Sequence, residues 1–130
     1  MALTDGQAWA TIAVSDLDRA RKFYGDMLGF AASREAPDDP NFGIVYDAGK
    51  GTKFLVYPSQ FGGTNQATSM TFEVDDFDAT VKDLRDRGIR FEEYDLPYLK
   101  TVDGVADVGG LKGAWFKDPD GNILAIGQMM

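Results

Sequence analysis

The sequence predicts an α+β fold in which two β-α-β-β-β modules follow each other along the chain. The first observation is a strand-to-helix junction at 14–18 (Val-Ser-Asp-Leu-Asp) that recurs 60 positions later, at 74–78 (Val-Asp-Asp-Phe-Asp). The second is a segment that begins with glycine at 51–54 and returns at 121–124, before the last strand of each module. Two matches in the same order indicate a duplicated unit.

Module one begins with a predicted strand at 8–14, after which Ser15 or Asp16 is placed to cap a helix. Apolar side chains then recur at helical spacing up to Gly29, which favours the left-handed conformation that ends helices. This stripe consists of Leu17, Ala20, Tyr24, Met27 and Leu28. Three short strands are expected next, at 30–35, 42–48 and 53–57, with the first two separated by Pro37-Asp38-Asp39-Pro40.

Module two repeats this order. A strand from Ser69 to Val74 leads to a helix that Asp75 or Asp76 caps and that Gly88 ends. The helical stripe consists of Phe77, Val81 and Leu84. Residues 89–94 are a further strand candidate. The strands 113–117 and 122–127 form a hairpin around Asp118-Pro119-Asp120-Gly121, where proline and glycine occupy the positions that suit a tight turn.

Residues 92–112 interrupt the second module without a clear period. Segments of this length are usually functional or disordered. This one contains Tyr94, Tyr98 and several branched apolar residues, which is too apolar for simple disorder. We expect it to pack over a cleft, and whether it forms a lid stays open.

The length suits one domain, residues 1–130, with module one at about 7–60 and module two at about 66–128. The chain has neither cysteine nor histidine, so thiolate chemistry and the commonest metal ligand are missing. The net charge of −8 disfavours nucleic acid and suits a cationic molecule, unless it serves only solubility. No apolar run is long enough for a membrane helix and no export signal is visible, so a cytoplasmic location is expected.

Two segments carry a resemblance to a known family. They are 14–30, with Phe23-Tyr24-Gly25-Asp26-Met27-Leu28-Gly29-Phe30 after the first junction, and 115–124 around the final turn. In these segments, and over about residues 8–128, the chain resembles the vicinal-oxygen-chelate superfamily of glyoxalases, bleomycin-resistance proteins and dioxygenases. The resemblance implies curved mixed sheets around a cleft. It leaves function open, because this fold serves lyases, epimerases, dioxygenases and antibiotic-binding proteins.

The resemblance also implies where a metal would be bound. The positions that correspond to the superfamily's ligands are occupied here by Trp9, Ser69, Ala125 and, with a looser match, Leu55. These side chains cannot supply the three N, S or carboxylate donors that a catalytic divalent metal needs. We therefore expect no metal and no cofactor. The acidic residues near the helix starts are interpreted as caps, and Asp118 and Asp120 as turn residues.

Strand alternation indicates which side chains face the cleft. The candidate ligand-binding residues are Trp9, Thr11, Tyr46, Leu55, Tyr57, Ser69, Thr71, Tyr98, Trp115 and Ala125. This mixed aromatic and hydroxyl-bearing surface is typical of an organic-ligand pocket, although each aromatic residue could instead be core.

The first hypothesis is a metal-independent binding protein that resembles the bleomycin-resistance proteins and sequesters an aromatic or cationic small molecule. The alternative is a metal-free lyase, isomerase or cyclase that uses Glu73, Asp107 or Tyr57 as an acid or base. A degenerate domain that serves only in assembly is a third possibility. A homodimer is expected, because single-layer sheets leave faces and edges that need cover.

Overall fold

The computed structural model describes residues 2–35 and 41–128, which fold into two curved four-stranded sheets. The first sheet has the strand order β1-β4-β3-β2 and belongs entirely to module one. Its strands are β1 (Ala10–Val14), β2 (Ala31–Glu35), β3 (Ile44–Asp47) and β4 (Lys53–Pro58). The predicted separator at 37–40 lies outside the described residues.

The second sheet belongs to module two and has the equivalent order β5-β10-β9-β8. A separate two-stranded hairpin, β6-β7, precedes β8. The strands are β5 (Thr68–Glu73), β6 (Asp95–Leu96), β7 (Leu99–Lys100), β8 (Ala106–Val108), β9 (Leu111–Lys117) and β10 (Ile123–Gln128). No helix in the described ranges is long and apolar enough to cross a membrane.

The register of the strands confirms the duplicated α+β fold. In each module the first strand pairs in parallel with the last, as β1 with β4 and β5 with β10. Thr11 lies opposite Leu55, and at the equivalent positions Thr71 lies opposite Ala125. The final hairpin also forms as predicted, with Gly121 at φ 92° and its N–H donating to the carbonyl of Asp118 at 2.9 Å.

Each module carries one helix, and aspartate caps both. The Asp16 carboxylate accepts from the Arg19 N–H at 3.0 Å before α1 (Leu17–Arg21), and Asp76 does the same for α2 (Phe77–Asp86). After α1 the chain continues through a π-helical turn at Lys22–Met27. The predicted stripe assumed a regular helix over this stretch, and the wider turn replaces its second half.

The two modules share one hydrophobic core on the helix side of both sheets. Alternate residues of the strands β1, β3, β4, β5, β9 and β10 point into it, together with the apolar faces of the helices. Phe54 of module one meets Phe72 of module two with ring centroids 6.0 Å apart, and Phe23 lies 6.5 Å from Phe116. The modules are therefore packed together within one chain, and neither has a core of its own.

The strand predicted at 89–94 is wrong. Only Phe91 pairs with the sheet there, through an isolated bridge to Phe116, and β8 takes the outer position further along. The chain turns away after Glu92 because the Glu93 carboxylate binds the hydroxyl of Thr101 at 2.6 Å and the N–H of Gly104 at 2.8 Å. The segment 92–112 thus supplies the small hairpin β6-β7, the outer strand β8 and three tight turns, at 97–98, 103–104 and 109–110.

Candidate functional site

The faces of the two sheets that point away from the helices form the candidate site, and we call them the open face. Strand alternation assigns side chains to it, since their neighbours in sequence lie in the core. The open face carries Thr11, Leu55, Tyr57, Ser69, Thr71, Glu73, Trp115 and Ala125. Most of the side chains that the sequence predicted to bind a ligand are therefore on one side of the two sheets.

An aromatic pair stands on the open face of module two. The six-membered ring of the Trp115 indole lies over Gly113, where a β-carbon would come within 3.2 Å of it. Tyr94 meets the indole edge to face, with centroids 5.6 Å apart. Burial raises the pKa of Tyr94, and the neighbouring Glu92 adds to the effect. Trp115 is a candidate from strand alternation, whereas only the tertiary contact shows that Tyr94 supports it.

Small residues lie beside this pair. Gly127 is in register with Gly113, and Ala125 is in register with Trp115. In module one the equivalent positions hold Tyr57 and Leu55, so the second sheet carries less side-chain volume here than the first. Ala125 is 5% exposed and Gly127 is also buried, so neighbouring side chains border this floor closely.

One unpaired carboxylate borders the floor. Glu73 is exposed and lies opposite Gly127 on β5, and it forms no ion pair with any residue in the described ranges. Lys117, on the same face, is paired with Glu92 at 3.5 Å. The charge available to a ligand at this floor is therefore negative.

Trp9 and Ser69 are placed less favourably than expected. The first strand begins at Ala10, so Trp9 stands just before it, 37% exposed and without a ring contact inside the described part of the chain. Ser69 is the extra residue of a β-bulge opposite β10, and its hydroxyl accepts from the amide of Asn65 at 3.1 Å. Neither Trp9 nor Ser69 contacts the aromatic pair within the described part of the chain.

Tyr46 was predicted to line the cleft, and this is wrong. It pairs with Phe54 on the helix side of the sheet, where the two rings stack 5.4 Å apart, and it is 1% exposed. Its hydroxyl has no hydrogen-bond partner among the described residues, and burial raises its pKa. The register of β3 against β4 decides this orientation, and the sequence does not fix that register.

Two further candidates for the cleft are Asp107 and Tyr98. Asp107 pairs with Lys112, whose ammonium reaches Asp78 of α2 at 3.2 Å, so this part of the strand faces the helix side. Asp107 is therefore wrong as an acid or base in the cleft. Tyr98 is 84% exposed in the turn between β6 and β7, and no contact in the described part of the chain joins it to the aromatic pair.

The superfamily's metal positions do not fit a metal in this chain. Leu55 and Ala125 present hydrocarbon side chains at the register positions beside Thr11 and Thr71. Nowhere in residues 2–35 and 41–128 do three acidic, cysteine or histidine side chains come together. The donor set therefore lacks what a divalent catalytic metal requires.

A buried polar cluster joins the modules behind the open face. The Tyr24 hydroxyl donates to Asp118 Oδ2 at 2.7 Å, and Asn122 Nδ2 donates to the same oxygen at 2.8 Å. Asn122 also donates to the carbonyl of Ala13 in β1 at 2.8 Å. Burial and the Asp118 carboxylate raise the pKa of Tyr24 well above its usual range.

The next aspartate of the same turn reaches module one directly. Asp120 accepts from the N–H and the hydroxyl of Ser15 and pairs with Arg19 at 2.8 Å. At the equivalent place in the repeat, Lys50 meets Asp75 at 3.5 Å. Turn chemistry alone was therefore an incomplete interpretation of Asp118 and Asp120, because both also join the two modules.

Comparison with known proteins identifies the class of fold and site. The sequence model of the Glyoxalase/Bleomycin resistance protein/Dioxygenase superfamily matches residues 6–126, and the chain therefore belongs to this superfamily. The resemblance found in the sequence is thereby confirmed.

Individual relatives are distant. An uncharacterized protein of Bacillus subtilis, YetH, is 25% identical over 121 residues, which cover 88% of this chain and 91% of that protein. A glyoxalase family protein from Enterococcus faecalis has a TM-score of 0.68 at 21% identity, with coverage of 97% of this chain and 99% of its own. TnmS3, an antibiotic binding protein from Streptomyces sp. CB03234, has a TM-score of 0.62 at 21% identity, with coverage of 96% and 98%. At these identities the structural matches show the fold.

Proposed function

We propose that this protein binds a planar, cationic organic molecule on its open face without a metal, as a sequestering protein of the bleomycin-resistance type. The observation that carries the proposal is the Trp115 indole standing over Gly113, supported by Tyr94 and flanked by the small residues Ala125 and Gly127. A planar ligand would stack on the indole and cover the floor. One superfamily member of similar fold, TnmS3, is described as an antibiotic binding protein.

The charge on this face supports a cation. Glu73 lies two strands from Gly113, which at the usual strand spacing is about 10 Å. A ligand with a planar group and a positive group about that far apart would meet both Trp115 and the free carboxylate. The net charge of −8 would also attract such a molecule over longer distances.

A homodimer completes the proposal. The open face carries Leu55, Tyr57 and Trp115 outside the core, and β2 and β8 are unpaired outer strands in the described ranges. A second copy facing this surface would cover the ligand and exclude water. Sedimentation is expected to give twice the 14.2 kDa chain mass at micromolar concentration, and a single monomeric species would contradict this part.

The binding proposal is tested by tryptophan fluorescence during titration with planar cationic antibiotics, with and without divalent metal. We expect saturable quenching that is indifferent to the metal. Trp115→Phe should abolish the quenching, whereas the matched variant Trp9→Phe should preserve it. Quenching that depends on metal, or that survives in Trp115→Phe, would contradict the proposal.

A second variant tests the site without removing Trp115, which is also the fluorescent reporter. Ala125→Leu places on β10 the side chain that β4 already carries at the equivalent position. Because Ala125 is 5% exposed, urea denaturation checks first that the variant is folded. The added volume would fill the floor and weaken binding, by about tenfold for a misfit near 1.4 kcal/mol. Unchanged affinity in Ala125→Leu would show that the ligand lies elsewhere.

The metal-free enzyme is kept as a second candidate because Glu73 and Tyr57 both lie on the open face. Such an enzyme would convert its ligand, and Glu73→Gln would stop turnover while leaving binding within a few fold. Mass spectrometry of the ligand after incubation distinguishes the two. An unchanged ligand in the presence of saturating protein supports sequestration.

A further inference from the structure

A pocket of about 480 Å³ lies on the other side of module two, away from the open face. It is an open depression between the end of α2, the segment that follows Gly88, and the turn at 102–105. Phe91 lines it and faces the core from the helix side of the sheet. The Trp115 surface is on the opposite side of the same sheet edge, since Phe91 bridges to Phe116 and not to Trp115.

The rim of the pocket is built by local strain and specific bonds. Asp103 and Gly104 both have positive φ, 53° and 78°, as a tight turn between Val102 and Val105 requires. A β-carbon at Gly104 would come within 2.7 Å of Phe91, so only glycine fits there. The turn directs the Asp103 carbonyl to the guanidinium of Arg85, which also lies 5.5 Å over the Phe91 ring.

Two cations in this pocket form no ion pair within 4 Å among the described residues, although the charge of Arg85 acts on the nearby Glu93 carboxylate. Five basic side chains form no ion pair in the described part of the chain, although acidic residues outnumber basic ones by 21 to 13. They are Lys22, Arg34, Arg85, Arg90 and Lys100. Arg85 and Arg90 both line the pocket, where they offer planar donors that suit a carboxylate.

Two acidic groups lie on the same rim. Glu93 uses Oε1 for the bonds from Thr101 and Gly104, and its Oε2 accepts none from the described residues. These two hydrogen bonds lower the pKa of Glu93, so it is ionised at neutral pH. Asp103 is exposed beside it. The pocket therefore presents two guanidinium groups and two carboxylates around the accessible edges of Ile89 and Phe91, which are each 8% exposed.

We propose that this pocket binds a small zwitterion, an α-amino acid with an apolar side chain. Its carboxylate would bind Arg85 and Arg90, its ammonium would bind Glu93 and Asp103, and its side chain would lie against Phe91. A simple anion would leave the two carboxylates facing it, and a simple cation would face the two guanidinium groups. Only a molecule that carries an ammonium and a carboxylate on one carbon pairs with all four charged groups together.

The test is an amide NMR titration of the full chain with L-leucine and two analogues that each lack one charge. 4-Methylpentanoate lacks the ammonium, and 3-methylbutylamine lacks the carboxylate. We expect L-leucine to give saturable shifts confined to residues 88–93 and 103–105, and each analogue to bind at least about tenfold more weakly, since charge-assisted bonds are lost.

Variants locate the effect. Arg90→Gln is expected to weaken L-leucine binding about tenfold. Arg34→Gln removes another exposed arginine, one of module one that forms no ion pair with a described residue, and is expected to leave binding unchanged. Because Arg90 is exposed and forms no ion pair in the described ranges, its loss is not expected to unfold the chain.

Three results would overturn the proposal. They are the absence of saturable shifts up to about 10 mM L-leucine, equal binding of 4-methylpentanoate, and shifts centred on the Trp115 indole. The last result would assign the amino acid to the open face. This outcome is independent of the fluorescence titration, because a failure of planar cations to bind the open face would not change the pocket residues or their binding of L-leucine.

Discussion

Two buried tyrosines in one aromatic cluster offer a matched test of the polar core. The rings of Tyr24 and Tyr46 lie 6.1 Å apart, and both are almost wholly buried. The Tyr24 hydroxyl donates to the Asp118 carboxylate at 2.7 Å, whereas the Tyr46 hydroxyl has no partner among the described residues. Changing each to phenylalanine removes the same single oxygen from the same core.

The two substitutions are expected to have opposite effects. A hydrogen bond to a charged group contributes about 1.5–3 kcal/mol, so Tyr24→Phe should lower the free energy of unfolding by about 2 kcal/mol. Asp118 keeps its bonds from Asn122 and from the N–H of Asp120 at 3.0 Å, which limits the loss. Tyr46→Phe removes a buried hydroxyl that gains nothing from its site, so stability should stay equal or rise by about 1 kcal/mol.

Urea denaturation at pH 7, followed by circular dichroism, measures both variants against the parent chain. The slope of free energy against urea should be unchanged, because the surface exposed on unfolding is the same. An equal loss of stability in both variants would refute the reasoning. So would a larger loss in Tyr46→Phe, which would mean that its hydroxyl binds something inside the core.

Two further predictions concern pH and backbone. Burial raises the pKa of Tyr24, so above about pH 10 the unfolded chain loses this proton while the folded chain keeps it. Stability measured by thermal unfolding should therefore fall as pH rises past 10, at up to about 1.4 kcal/mol per unit, and less steeply in Tyr24→Phe. Gly63→Ala should lower the free energy of unfolding by more than about 3 kcal/mol, a loss typical of severe steric strain. The reason is that its β-carbon would lie 2.0 Å from the carbonyl oxygen of Asp120. Gly51→Ala shares the positive φ but meets no atom within 4 Å, so a loss of about 1–2 kcal/mol is expected, and equal losses at the two glycines would contradict the clash.

The fold could be predicted from the sequence because its signals are local and occur twice. Asp16 and Asp76 cap their helices through bonds three residues away, and such bonds can be recognised within a short window. The turn at 118–121 is equally local. The repeat then supplied the long-range information, since two copies of one unit imply the same pairing of first and last strand.

The errors come from interactions between distant residues. The orientation of Tyr46 follows from the register of β3 against β4, and this register cannot be predicted from the residues between β2 and β3. The strand expected after Gly88 is replaced by a turn because Glu93 binds Thr101 and Gly104. The support of Trp115 by Tyr94 likewise joins residues 21 positions apart.

The difference between the two modules connects the fold to the proposed binding. Where module one holds Leu55 and Tyr57, module two holds Ala125 and Gly127 at the same register positions. The second sheet therefore carries less side-chain volume on its open face than the first, and the Trp115 and Tyr94 rings stand at the border of these small residues. Ala125 is only 5% exposed, so under the binding proposal a planar ligand would lie against the indole and the rims of the neighbouring side chains. The proposed site is thus a stacking surface, which is why Trp115→Phe is expected to abolish the quenching and Ala125→Leu only to weaken binding.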